Sequence, residues 1–507
     1  MNNQYKLCPK CSTEAQEESL ICRKCLYNLR SEPLLSKDIN DNNQIFVDSN
    51  TRLENQTSYL KRRLISIVLI SIYAIIFIFG NIIYIQKYRL LPALPVGSSQ
   101  TQINNTNLAW PTEYGGTLGV RNTTQNFTIP SKITWAHALD LPALYDMKGL
   151  STNLIGNEKY IFYGLVNGQI QVISTETGAL VWSKKISGLL DSTPIIIDNR
   201  LFFAQRDGTI SSIELSTGRV LWENNAEEVF LTGIDIVDGM LYANSLYSIF
   251  VIDIQNGETL WSKKLGENSF LETIMSKIFG SSNSPVKSLG EYPATAVSAK
   301  GEMLILGTTS AVKNIDRQTG ELRHIHRTSW LEHTYIENDT FFTFSKNEIA
   351  SININARGRW WDKVPVLRWS WGQLTIWGMA PPIPRDENNW ILSAGKGNLR
   401  SNIIHLKMPA INNQTIFSVH YDGTIKAIDK ETGILNWEKY YNTEVTDPII
   451  TKSGLVIGID GDLVLIDVSS GNEKEKMAIK NGPINQMTII GDSLFAVIND
   501  ERIIRLD

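Results

Sequence analysis

TPIIIDNRLFFAQRDGTISSIELSTGRVLW, residues 193–222, reads as three or four short strands cut by turns. Ile195, Ile196 and Ile197 form an apolar run, Asp198-Asn199 a turn signal, and Leu201, Phe202, Phe203 and Ala204 a second run. Asp207-Gly208 is a strong hairpin signal, predicted here as a type I′ turn with positive φ at both residues. Thr217-Gly218 makes another tight turn, and Val220-Leu221-Trp222 begins a last strand. A four-stranded antiparallel unit in about 40 residues has the size of one propeller blade.

The unit recurs. NGQIQVISTETGALVW ends at Trp182, DGTISSIELSTGRVLW at Trp222 and DGTIKAIDKETGILNW at Trp437. Looser copies end at Trp261, at His324 and at Trp361, and GDLVLIDVSSGNEK has no Trp after Gly471. Self-similarity at about 40 residues is an architectural signal. The turn glycine supplies backbone freedom, and the following indole is a large apolar plate to lay against a neighbouring blade.

These motifs resemble the quinoprotein-type (pyrroloquinoline quinone repeat) β-propeller, whose tryptophan-docking motif is a turn Gly followed by Trp. The resemblance covers roughly residues 131–507 and implies an all-β fold of about eight four-stranded antiparallel blades. KITWAHAL at 132–139 reads as the outer strand of a blade whose other three strands come from 484–507, closing the ring and removing sheet edges. The interval between Gly358 and Gly433 spans nearly two periods, so it holds either an irregular blade or a long insertion.

All four cysteines fall in the first 25 residues, as CPKCSTEAQEESLICRKC. Cys8, Cys11, Cys22 and Cys25 are spaced as two knuckles, enough to close a tetrahedral Zn²⁺ shell. So short a segment buries too little apolar surface to fold alone, and metal ligation would supply the difference. It is similar to the short zinc ribbons of bacterial N-termini, although Ser12 and Leu26 stand where such ribbons often carry Gly. The rival is a redox or disulfide pair.

Residues 31–63 form a polar linker, and residues 64–85 carry no charge. At about 1.5 Å per residue that stretch spans roughly 33 Å, enough for a bilayer core as one transmembrane helix. Lys61-Arg62-Arg63 on its N-terminal flank predicts a signal anchor with the N-terminus in the cytoplasm. Reduced thiols inside and a cysteine-free domain outside agree with that orientation. Residues 86–130 then read as an extracytoplasmic spacer, and 131–507 as the propeller.

Two departures from the repeat draw attention. Residues 266–292 lengthen one interval, as a surface helix or a partner-docking segment. RGRWWDKVPVLRWSWGQLTIW, residues 357–377, interleaves tryptophans with basic residues. Trp and Arg dominate binding hot spots, so Trp369, Trp371, Arg357, Arg359 and Arg368 form a candidate partner surface, with inter-blade packing as the alternative. On a strand, Trp369 and Trp371 would share one face.

The resemblance raises a quinone-dependent dehydrogenase. Such enzymes hold PQQ over a Trp floor with Ca²⁺ beside it, many with a vicinal disulfide. No cysteine follows Cys25, and no position here carries the calcium ligands or the base. His324, His326 and His333 suggest a metal site, but His324 takes the Trp place of a repeat. A net charge of −4 over 507 residues gives no electrostatic reason to expect nucleic acid. The expectation is a non-enzymatic scaffold that binds a protein partner in the cell envelope, with zinc as a structural metal, PQQ not expected and any small-molecule ligand unspecified. It looks like the propeller of the outer-membrane β-barrel assembly lipoproteins, which bind protein, but has a span in place of their lipobox cysteine. The alternatives are the dehydrogenase and a single-span sensor with the propeller as its ligand-binding domain.

Overall fold

Residues 193–222 form one sheet, its strands Ile195–Ile197, Arg200–Ala204, Thr209–Glu214 and Val220–Asn225 paired antiparallel in chain order. The second and third strands are buried along nearly their whole length, because each lies between two neighbouring sheets. The hairpin at 205–208 differs from the expected type I′ turn. Only Gly208 takes positive φ (+99°), Gly208 N donates to Gln205 O, and the Asp207 carboxylate accepts from Thr209 N. This is a type I turn closed by a left-handed glycine, in which the Asp side chain organises the backbone and is spared that conformation.

The computed structural model describes residues 4–16, most of 20–36, positions 68, 71, 110 and 112, and 121–140 except 124. It further describes 149–264, 293–353 apart from a few loop positions, 371, 374, 378–379, 388–393, and 406–507 except 480–481. The chain divides into two compact units, Met1–Ile78 and Phe79–Asp507. In the first, Gln4–Leu7 lies between Glu14–Gln16 and Leu34–Ser36 in a three-stranded sheet.

In the second unit, eight four-stranded antiparallel sheets are found among the described residues, so the fold is an eight-bladed propeller. Numbered by chain position, blade one is 155–185, two 195–225, three 234–264, four 298–327, five 331–393, six 410–440 and seven 449–478. Blade eight joins Ile484–Ile490, Ser493–Ile498 and Arg502–Leu506 to Ile133–Ala138, with Arg502 opposite Ala138 and Leu506 opposite Ile133. The N-terminal strand thus closes the ring as its sequence implied.

Blade five corrects one expectation. Its third strand, Glu348–Asn353, pairs with Asn388–Ser393, so the repeat expected to end at Trp361 is completed at Trp390. Between them lies an insertion, the second of the two alternatives. Trp390 holds the position that Trp182 and Trp222 hold in their own blades, opposite the residue just before a β-bulge. His324 and Glu475 occupy the same register in blades four and seven.

The indoles lock the blades together. Trp135, Trp182, Trp222, Trp261, Trp390 and Trp437 lie against Gly178, Gly218, Gly257, Gly320, Gly433 and Gly471 of the next blade. Gly218 shows why glycine is required: its φ is +72°, and a Cβ there would stand 2.8 Å from the Trp182 ring. Trp135, Trp182, Trp222, Trp390 and Trp437 also donate Nε1–H to the carbonyl three residues before the receiving glycine, at 2.7–3.1 Å. The two junctions without an indole lead into blades five and eight. In those blades the third and fourth strands are joined by an insertion and by no hairpin at all, respectively. Lock and receiver are lost together.

Among the described residues no helix is long and apolar enough to cross a membrane. The 64–85 stretch lies outside them except for Val68 and Ser71, both helical and exposed. The 266–292 segment also lies outside.

Candidate functional site

The four cysteines converge. Their sulfurs all lie within 4.8 Å of one another, with Cys8 and Cys25 3.4 Å apart and Cys11 and Cys22 3.5 Å apart. A tetrahedral zinc with Zn–S bonds of about 2.3 Å sets its sulfurs about 3.8 Å apart, so the set fits such an ion. The first knuckle closes through Ser12 N to Cys8 O at 2.8 Å and Cys8 N to Thr13 O at 3.0 Å. Ser12 adopts φ +53°, the left-handed conformation in which ribbons of this kind often use Gly. The Thr13 hydroxyl, 3.2 Å from Cys11 Sγ, is the main influence drawing that thiol down to about 6. Four cysteines at this spacing, two of them buried, are close enough to bind a metal.

The propeller's inner strands line its central channel, and their inward edges carry backbone groups that no neighbouring strand satisfies. At one end of the channel the segment before the propeller takes them up. Trp110 exchanges two backbone hydrogen bonds with Gly156, the last residue of blade one's inner strand, at 2.9 and 2.8 Å. Ile450, the last residue of blade seven's inner strand, donates to Arg121 O and accepts from Thr123 N, each at 2.9 Å. Arg121 is 2% exposed: its Nε donates to Pro448 O at 3.0 Å, its Nη2 to Met487 O at 3.1 Å, and its guanidinium lies over the Trp110 ring. The described positions from Trp110 onward therefore belong to the folded body, although the sequence reading ran a spacer to residue 130. A single Arg in an Asn- and Thr-rich stretch gave no periodic signal of this.

At the other end, charged groups from blades five to seven are tied to each other. Leu406 N donates to Glu332 at 2.6 Å, Met408 N donates to Asp447 at 3.1 Å, and Lys407 pairs with Glu444 at 2.6 Å. Lys407 also stands 4.7 Å from the centre of the Tyr421 ring. Packing, and then Asp447, Glu444 and Glu332, push the Tyr421 phenol above its ordinary value. These carboxylates hold loops in place. His333 lies 3.4 Å from Leu406 O, and the buried His326 ring meets Phe341 edge-on at 4.8 Å.

Of the tryptophan- and arginine-rich segment, Trp369, Arg357, Arg359 and Arg368 lie outside the described residues. Trp371 is half-buried and helical, and Leu374 is helical and exposed. The strand geometry that would put Trp369 and Trp371 on one face does not hold at 371, because alternation over three residues is too short to fix a period.

Residues 131–342 and 388–507 match the family described as outer membrane protein assembly factor BamB, with the insertion of blade five left out. The chain is 28% identical over 144 residues to BamB of Yersinia pestis, covering 26% of this chain and 35% of that protein. It is 24% identical over 142 residues to BamB of Escherichia coli K12, covering 25% and 34%. These alignments span about a third of the length of the curated relatives. Among solved structures, BamB from Moraxella catarrhalis superposes with a TM-score of 0.50 at 13% identity, covering 74% of this chain and 98% of that one. Quinohemoprotein alcohol dehydrogenase from Comamonas testosteroni superposes at 0.55 and 10% identity, covering 83% of each. At such identities the likeness is one of fold. The family match extends over well more than half of the sequence, and the chain belongs to the outer membrane protein assembly factor BamB family.

Proposed function

We propose that this chain is a non-catalytic, membrane-anchored propeller that binds a protein partner on the extracytoplasmic side of the cell envelope. The family match carries the proposal, since relatives in that family are named as assembly factors. In this reading the N-terminal unit is a cytoplasmic zinc ribbon whose third strand, Leu34–Ser36, lies past the boundary expected at residue 30, and the chain from there to 63 is a linker. Residues 64–85 form the single span, the chain from 86 leads from the membrane to Trp110, and the propeller body presents the binding surface. The channel-end carboxylates support a non-enzymatic role, because Glu332, Glu444 and Asp447 are each committed to a partner within the fold.

Zinc, held by Cys8, Cys11, Cys22 and Cys25, would stabilise the ribbon and leave no open coordination position for chemistry. The convergence of all four sulfurs on one point favours a shared ion over two separate redox pairs. Purified full-length protein is expected to carry one zinc per chain by elemental analysis. Cys8→Ser should lose it while the propeller melts as before.

Trp369, Trp371, Arg357, Arg359 and Arg368 remain the proposed partner surface. The test is capture of envelope proteins by the full chain in detergent, compared with the Trp369→Ala/Trp371→Ala double variant. Loss of a specific partner from the variant supports the surface, and an unchanged set of partners removes it. Protease added outside intact cells should cut the propeller and spare the ribbon. Cleavage of the ribbon alone would reverse the topology.

A further inference from the structure

Six of the eight inter-blade junctions are closed by an indole against a glycine hairpin, and two are not. At the junction between blades seven and eight the register position holds Glu475, whose carboxylate accepts from Ile129 N at 3.2 Å. Phe127, 3% exposed, enters a core built from blade seven (Ile449, Val456, Leu465) and blade eight (Met487, Phe495). Ile129 packs on the same cluster. Phe127 N donates to Ser453 Oγ at 3.0 Å, and Lys452 N donates to Gln125 O at 3.0 Å. Arg121 spans the junction with one donor on Pro448 O and another on Met487 O. Asn122 reaches Ile411 O of blade six at 3.2 Å, and Trp110 pairs with Gly156 of blade one. Trp110 and residues 121–129 thus touch blades one, six, seven and eight between them.

We propose that Trp110 together with residues 121–123 and 125–130 acts as a strap that locks the ring. At the seven–eight junction the strap does what an indole and a hairpin do elsewhere, and at one channel end it pairs the inner-strand edges. Physical necessity places it there. Blade eight closes with a strand from the other end of the chain, so no hairpin exists to receive an indole, and a different filler is required. The strap is the chain that leads back toward the N-terminus, so closure of the ring is linked to whatever holds or moves that chain. An aromatic, an arginine and a phenylalanine carry it: Trp110 and Phe127 as anchors, Arg121 as the bridge. The strap stands apart from the scaffold proposal, since none of its contacts depends on a partner or a membrane.

Hydrogen–deuterium exchange on the full chain in detergent tests this. In the wild type, the hydrogen-bonded amides of Trp110, Thr123, Phe127, Ile129, Gly156 and 450–452 should be protected to a similar degree. Arg121→Ala should speed exchange at all of them together, at least tenfold, and leave the 205–209 hairpin of blade two unchanged. Exchange of 121–130 at the free-chain rate in the wild type would overturn the proposal. So would an Arg121→Ala effect confined to its immediate neighbours. If Arg121→Ala yields no folded protein, Arg121→Lys is used, since it keeps the charge but loses the forked reach to two blades. An intermediate, equally concerted loss of protection supports the strap, and wild-type exchange rejects it.

Discussion

Trp222 is 8% exposed, lies tilted against Phe202 at 6.1 Å between ring centres and donates to Ile254 O at 2.9 Å. Its removal empties the contact with Gly257 and orphans that carbonyl, so Trp222→Ala should cost about 3–5 kcal/mol in a denaturant melt. Trp222→Phe should fall between, because it restores part of the plate but not the donor. Asn314 tests the opposite case. It is fully buried, and among the described residues neither its Oδ1 nor its Nδ2 has a hydrogen-bond partner. It lies two residues from Val312 on one strand and so faces blade five, where Val312 packs with Leu331 and Phe341. An unsatisfied buried amide costs about 1–3 kcal/mol, and Asn314→Leu should recover a comparable amount. A lower melting temperature for that variant would show that the site needs its polarity.

At the level of the elements, two titrating groups, half-buried Asp235 and buried His420, pull stability in opposite directions with pH. Asp235, on the inner strand of blade three, accepts from Ile236 N at 2.9 Å and from Ala299 N of blade four at 2.8 Å. Burial pushes its carboxyl up to about 6 despite those bonds. The folded state therefore holds the proton more tightly than the unfolded chain, and Asp235 lowers stability as pH rises from about 4 to about 6. His420, 1% exposed at the start of a blade-six hairpin, is held down to about 4 by burial and then by Lys426. It resists protonation when folded, so it lowers stability as pH falls from about 6.5 to about 4. The two slopes offset each other in the wild type. Asp235→Asn should leave stability rising with pH across this window, and His420→Phe should leave it falling, in melts taken at half-unit intervals. Elements of this kind were legible in the sequence wherever a hairpin glycine and an indole stood at fixed spacing, as from Gly178 to Trp182 and from Gly433 to Trp437. Blade five was misplaced because its third and fourth strands are separated by the insertion, and local spacing then favoured Trp361 over the true partner, Trp390. The Asp207-Gly208 turn type was missed because an Asx hydrogen bond stabilises a neighbouring geometry with the same two residues. Of the candidate sites, the convergence of the four cysteines was legible from their spacing. Arg121 was not, since its partners are carbonyls more than three hundred residues away.

A closed ring has no natural starting point for unfolding unless its junctions differ, and here they do. Six are locked by indoles, and the strap occupies the seven–eight junction. The four–five junction has His324 in the indole register, and among the described residues the Asn314 amide there has no hydrogen-bond partner. Thr343, two residues from Phe341 on the facing strand, is 1% exposed, and its hydroxyl likewise has no partner among the described residues. Local opening follows the weakest packing, so this junction should open first. A deficit of about 1.4–3 kcal/mol relative to an indole-locked junction corresponds to roughly 10–100-fold faster exchange. Native-state hydrogen exchange should therefore find amides of Leu322–Arg327 less protected than those of Val220–Asn225, which occupy the same place in blade two. Equal protection around the ring would mean that the four–five junction has a lock of its own. Asn314→Leu offers a control, because it should slow exchange at Leu322–Arg327 and leave Val220–Asn225 unchanged. If both segments slowed together, opening would be a property of the ring as a whole and the junctions would not act separately.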